Sequence, residues 1–263
     1  MSARVFVVSV LALGVGCLSM PEPPTGPGGI DAPKDGSGSG FDASASFTCL
    51  GNQPPTTAPP TVSLSGLATT IQGTTFAPAQ FFAVELWRFS AGSYMLFDTS
   101  TTQADGTWTV GPVSASGPVD AYVVAHLPVT PDRPTTFYPS YWVDNDLTGI
   151  ALFSVTTPNL DNALSSVGLT QDPAKGLLDI LVTDCNGAPL SANTITVRQI
   201  SNSAVVGQSF SAEGLLGAGR FLHLNVPPVT VSIDVIHDGM TFRRQVVPVT
   251  AGANTATVVR PGY

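Results

Sequence analysis

The chain reads as an all-β protein: two β-sandwiches joined by a segment with one short helix, behind an export signal and a flexible tether. Three observations carry this reading. From Val62 onward apolar residues recur at every second position, the period of a half-buried strand. The 26 Gly and 23 Pro supply turns between short strands. Only 11% of the 263 residues are charged, with three Glu and two Lys among them, so the side chains that support exposed helices are scarce. At 43% hydrophobic residues, with no long apolar run beyond the N-terminus, the chain can bury real cores and has no internal membrane span.

The chain opens with Arg4, the apolar run Val5 to Val15, Gly16 and Cys17. A charged start and an apolar core of about 7–15 residues make a secretory signal, whereas a spanning helix needs roughly 20 apolar residues. Small residues before a cysteine resemble the lipobox of bacterial lipoproteins, in which cleavage leaves the cysteine as the new N-terminus and its sulfur receives diacylglyceryl. The family usually carries Leu three residues before the cysteine; here Gly14 is there and Leu13 lies one place earlier. On this reading residues 1–16 are the signal peptide, Cys17 is the lipidation site and membrane anchor, and the protein sits in the cell envelope. It is then held on the periplasmic or outer face of a bacterial membrane. An ordinary signal peptide that contains a cysteine is the alternative, and makes the protein secreted.

Residues 17–60 read as a tether. Pro21 to Gly40 is mostly Pro, Gly, Ser and Asp, and Pro54, Pro55, Pro59 and Pro60 follow Cys49, so little apolar surface offsets the entropy of ordering. About 40 such residues have an r.m.s. span of roughly 35–40 Å. With Cys17 lipidated, Cys49 and Cys185 remain as an even pair in an oxidising compartment, and we expect them to be bridged across more than 130 residues. Two free thiols are the alternative.

Residues 61–155 form the first sandwich. Val62 and Leu64 alternate with Ser63 and Ser65, and Phe82, Val84 and Leu86 with Ala83 and Glu85. The turn dipeptide Asp105-Gly106 feeds the strand from Thr107 to Val110, Asp120 to His126 supplies another, and an aromatic strand from Phe137 to Val143 closes the module. Residues 156–175 are a helical linker. Thr157 caps the helix with Pro158 in its first turn, Leu160, Ala163, Leu164 and Val167 share a face, and Gly168 stops it. Asp172 and Lys175 then belong to a turn before the next strand.

Residues 176–263 form the second sandwich. Leu178, Ile180 and Val182 alternate into Thr183-Asp184-Cys185-Asn186-Gly187-Ala188-Pro189-Leu190, followed by Ile195 and Val197. Leu222, Leu224 and Val226 lead to Pro227-Pro228, and Val231, Ile233 and Val235 lead to the His237-Asp238-Gly239 turn, Phe242 and the closing strand Ala256 to Val259. A strand, an Asp, a Gly-x-Pro-Leu turn and a β-branched strand resemble the carboxypeptidase regulatory-like domain, a transthyretin-like sandwich of Ig-like architecture. The resemblance covers residues 176–261 and extends loosely to 61–145, where Asp105-Gly106-Thr107-Trp108 matches the Asp-Gly-x-aromatic hairpin and Ala77-Pro78-Ala79 stands in for the missing Gly-x-Pro turn. It implies two diverged copies of one carbohydrate-binding-like fold. Turn motifs of this kind speak for fold and not for function.

Several functions are excluded at this level. A net charge of -8 and a pI near 4.5 disfavour nucleic acid as a partner. The zinc motif of the metallocarboxypeptidases, His-x-x-Glu with a distant His, is missing: Glu22, Glu85 and Glu213 do not follow His126, His223 or His237 at that spacing. Gly38 occupies the centre of the only Gly/Ser tract where a nucleophile elbow needs Ser. His237-Asp238 reads as a hairpin turn, since a His–Asp relay also needs a positioned nucleophile. Asp144, Asp146, Thr148 and Gly149 have the spacing of a calcium loop, but Val155 stands where its bidentate Glu belongs. No catalytic residue, cofactor or metal is therefore expected. The ligand contacts that can be named are aromatic: Tyr138, Tyr141 and Trp142, on alternating faces of one strand. The chain reads as a non-enzymatic envelope lipoprotein whose sandwiches bind an envelope polysaccharide or a protein partner, or serve as a structural module. A secreted adhesion or spacer protein is the alternative, and an envelope hydrolase the reading with least support.

Overall fold

Alternating apolar residues oblige each strand to bury one face, and in the first half of the chain they do so around one core. The computed structural model describes residues 46–53, 55–72, 75–126, 132–140, 143–191 and 193–262. The first nine strands are β1 (Thr61–Gln72), β2 (Thr75–Pro78), β3 (Ala83–Ser90), β4 (Ser93–Thr101), β5 (Thr107–Ser114), β6 (Ala121–His126), β7 (Asp132–Arg133), β8 (Thr135–Tyr138) and β9 (Leu147–Thr156). Val62, Leu64, Val84, Leu86, Val110 and Val123 are wholly buried in the first core. The Asp105-Gly106 turn enters β5 as its sequence implies: the Asp105 carboxylate accepts the Thr107 N–H (3.0 Å) and hydroxyl (2.6 Å), and Gly106 takes φ +81°.

Two elements differ from the sequence reading. The aromatic strand ends at Tyr138, because Pro139 has no N–H to give to a ladder, and Val143 instead makes a single bridge to Val119. The strand that closes the sandwich is β9, which begins within the Asp144–Gly149 stretch and lies parallel to β1, with Gly66 opposite Ile150 and Ala68 opposite Leu152.

Helix α1 (Thr157–Ser166) follows at once. Thr156, not Thr157, is the N-cap residue, and its side chain makes no capping bond; Pro158 supplies the helical start. Leu160 and Leu164 are buried, but Val167 is exposed, since the helix ends at Ser166 and the C-cap leaves helical geometry. Gly168 at φ +72° and the Leu169 N–H donated to Leu164 O (2.9 Å) form a Schellman stop.

The second half comprises β10 (Gly176–Val182), β11 (Thr194–Gln199), β12 (Gln208–Ser211), the single turn α2 (Glu213–Leu216), β13 (Arg220–Val226), β14 (Thr230–His237), β15 (Met240–Thr241), β16 (Gln245–Pro248) and β17 (Asn254–Val259). An eight-stranded sheet in the order β12-β13-β10-β17-β8-β6-β3-β4 runs through both halves, joined by parallel pairing of β17 with β8, Ala256 opposite Phe137. A five-stranded sheet built on β1 covers one face of it at the first core, and a four-stranded sheet built on β14 covers the second core. They lie on opposite faces: adjacent residues Phe137 and Tyr138 point to the first and second core, and along β17 Ala256 belongs to the first while Val259 belongs to the second. α1 covers the far side of β10 and β13 through Phe153, Leu160, Leu164, Leu177, Leu222 and Leu224.

Candidate functional site

Two consequences of this arrangement define candidate sites: each half of the long sheet has one face that no outer sheet covers. In the first half, Val84 and Leu86 of β3 and Val123 of β6 point into the core, so Glu85, Trp87 and Tyr122 must point away from it. Tyr138 of β8 and, by register with Phe89, Tyr94 of the edge strand β4 share that face. The rings meet. Trp87 stacks on Tyr122 with centroids 6.1 Å apart and planes 4° apart; Tyr122 lies 4.9 Å from Tyr94 and 5.3 Å from Tyr138, and Phe89 lies 5.3 Å from Tyr94. Four adjacent strands make this row roughly 14 Å long, at about 4.8 Å per strand. Tyr94 and Leu96 at its edge are 40% and 49% exposed, and Trp87, Tyr122 and Tyr138 are half-buried.

Polar groups frame the rings. Tyr94 donates its hydroxyl to Asp120 (2.8 Å), Trp87 donates its indole N–H to Glu85 (2.9 Å), and His126 Nε2 lies 3.1 Å from the other Glu85 oxygen. Burial, with Asp120 beside it, pushes the Tyr94 phenol up to about 12; burial above all raises Tyr138, and burial with the Glu85 charge raises Tyr122. All three phenols are therefore neutral hydroxyls at physiological pH. The surface combines π faces with fixed carboxylate and hydroxyl groups at their rims, a combination that can stack on the C–H face of a ring-shaped ligand and hydrogen-bond its hydroxyls.

Of the ligand contacts expected from the sequence, Tyr138 is in this row, while Tyr141 and Trp142 lie outside the described residues, as does Cys17. Trp87, Tyr94 and Tyr122 went unnoticed in the sequence. The signal was present for two of them, since Trp87 and Tyr122 occupy the polar phase of otherwise clear period-two strands.

On the opposite face of the long sheet a cleft of about 390 Å³ opens between β9 and the second half. Leu181, Ala256 and Val258 form its apolar floor, and Thr183, Asn186, Arg220 and Arg260 its polar wall. Behind the wall, buried Asp179 holds Arg220 through Oδ2 to Nη1 (2.5 Å).

Cys49 and Cys185 are disulfide-bonded, with Cα atoms 5.6 Å apart. Asp184 organises the adjoining turn: its carboxylate accepts the N–H groups of Asn186, Ala188 and Ser46, each at 2.8 Å. Phe47 packs on the second core and stacks on His237 at 5.8 Å. The end of the stretch read as tether is thus docked on the second sandwich. His237 uses Nδ1 on Asn193 (3.0 Å) and lies 3.5 Å from Asp238, within the hairpin. Asp146 accepts the Ser63 N–H (2.7 Å), which commits it to β1. Among the described residues no group of three or more His, Cys, Asp or Glu is placed to hold a metal, and no helix is long and apolar enough to cross a membrane.

No protein-family profile matches the chain, and no curated protein matches it. Among solved structures it is similar to the shaft pilin SpaA of Lactobacillus rhamnosus GG, at 10% identity over 77% of this chain and 98% of the pilin, TM-score 0.25. It is similar to the minor pilin GBS52 of Streptococcus agalactiae, at 10% identity over 75% of this chain and 95% of the pilin, TM-score 0.26. It also matches the Bacillus anthracis TIE protein, at 10% identity over 76% of this chain and 34% of that one, TM-score 0.25. At this identity and TM-score they assign neither a family nor a function.

Proposed function

We propose that this chain is a non-enzymatic cell-envelope protein that binds carbohydrate through the aromatic face of its first sandwich. The observation that supports this most is the contiguous row Tyr94, Trp87, Tyr122 and Tyr138, whose first three rings lie on a face that neither outer sheet covers and whose last packs against the second core. Core aromatics would be enclosed, and a plain spacer has no reason to gather Tyr94, Trp87 and Tyr122 on one partly exposed strip. The N-terminal signal with Cys17 supports export and attachment through a lipid, and the turn motifs of residues 176–261 support a carboxypeptidase regulatory-like assignment for the second sandwich. The disulfide agrees with an oxidising compartment. A role as a structural or adhesion module with a protein partner is the second reading, favoured by the exposed edge strand β4, whose Tyr94, Met95, Leu96 and Phe97 are all open to solvent.

The test is retention on the purified protein of envelope extract separated into polysaccharide and protein fractions. Saturable retention of polysaccharide, lost in Trp87→Ala, is the expected result. Retention of protein alone replaces this reading with the second, and retention of neither leaves a spacer.

A further inference from the structure

We infer that the cleft on the other face of the long sheet is a binding site for a carboxylate. It is separate from the aromatic row, since Leu181, Arg220 and Val258 share the sheet face of Ala256, opposite to that of Tyr138. Three observations carry it. Among the described residues Arg220 and Arg260 line the cleft and no Asp or Glu does, in a chain whose net charge is -8; Asp179 pairs with Arg220 from behind, and the wall presents guanidinium N–H donors between apolar surfaces. Thr183, 2% exposed, also lines it, and its hydroxyl has no hydrogen-bond partner among the described residues. A buried hydroxyl in that state lacks an acceptor that a ligand oxygen can supply.

Arg220 is also pre-oriented. Its pairing with Asp179, which does not line the cleft, fixes the guanidinium through one nitrogen, Nη1, while the planar fork carries five N–H donors in all. With Asp179 already drawing on Arg220, the wall suits one negative charge better than the double charge of a phosphate. The volume of about 390 Å³ stands near the lower end of ligand pockets, roughly 300–1,000 Å³, which fits a single acidic sugar residue or the terminal carboxyl group of a peptide.

The two sources are told apart by calorimetric titration of the protein at low salt with D-glucuronate and with acetyl-Ala-Ala, each beside its neutral counterpart, the methyl ester of glucuronate and acetyl-Ala-Ala amide. One acid is expected to bind saturably and at least tenfold more tightly than its counterpart, and which one binds identifies the source. Arg260→Gln and Thr183→Val should each weaken that binding at least fivefold. Thr183→Val removes only an oxygen that the fold leaves unpartnered, so it keeps the test sound if Arg260→Gln fails to fold. Absence of binding by both acids, equal binding of the neutral compounds, or unchanged affinity in either folded variant overturns the assignment. None of these outcomes bears on the aromatic face, whose ligands are tested with Trp87→Ala.

Discussion

Trp87 and Tyr122 lie in parallel planes, 4° apart, on neighbouring strands of a sheet face that neither outer sheet covers. Their position follows from the long sheet being shared: its two covering sheets sit on opposite faces, so each leaves half a face to other cover, and in the second half α1 packs there. The pair is thus an architectural consequence as much as a local one.

The disulfide joins residues 136 apart, so in the chain-entropy account its removal costs about 5 kcal/mol before any relaxation of strain. The double variant Cys49→Ser, Cys185→Ser should shift the urea midpoint downward, and reductant should shift the natural protein in the same direction. An unchanged midpoint would show that Asp184 and Phe47 hold residues 46–53 in place without it.

At Gly66 β9 lies directly against β1: a Cβ there would fall 1.9 Å from the Ile150 carbonyl oxygen. Gly66→Ala should force the parallel pair apart and destabilise the protein by about 2–4 kcal/mol, whereas Ser65→Ala next to it should stay within about 0.5 kcal/mol. Equal melting temperatures for the two variants would contradict the β1–β9 pairing.

His223 is buried, with Nε2 2.8 Å from Val206 O and Nδ1 without a partner, so it is neutral with the proton on Nε2. Burial lowers its pKa below the ordinary 6.5. The unfolded chain therefore binds the proton first as pH falls through about 6.5, and this contribution to stability, complete above that pH, is lost progressively below it. His223→Gln keeps a donor for Val206 and removes the titration. Denaturant midpoints from pH 7 to pH 5 should fall more steeply for the natural protein than for the variant; parallel lines would rule out the neutral buried imidazole.

Much of the fold was legible because period-two alternation survives wherever one strand face is buried and the other wet, as at Val62, Leu64, Val84 and Leu86. It fails where that condition fails. In β4 every residue from Ser93 to Phe97 is exposed, so no alternation marks the strand. In β10 Leu177 and Leu178 are both buried, because α1 covers one face and β14 the other. β9 begins inside the Asp144–Gly149 stretch, which reads as loop. The pairing of β17 with β8 joins residues 119 positions apart and leaves no local trace, and the open face it produces could not be read from sequence. Of the aromatic row, only Tyr138 is therefore legible in the sequence as a ligand contact.

The most direct test of the account is a calorimetric titration of the protein with oligosaccharides released from its own envelope, repeated with Tyr122→Ala. Tyr122 contacts Trp87, Tyr94 and Tyr138, so its removal dismantles the row while the inward core residues Ala121 and Val123 stay unchanged. The account predicts saturable binding that weakens by about 2 kcal/mol, roughly thirtyfold, in the variant. Saturable binding of the same affinity in a folded Tyr122→Ala protein, or none by the natural one, would contradict it.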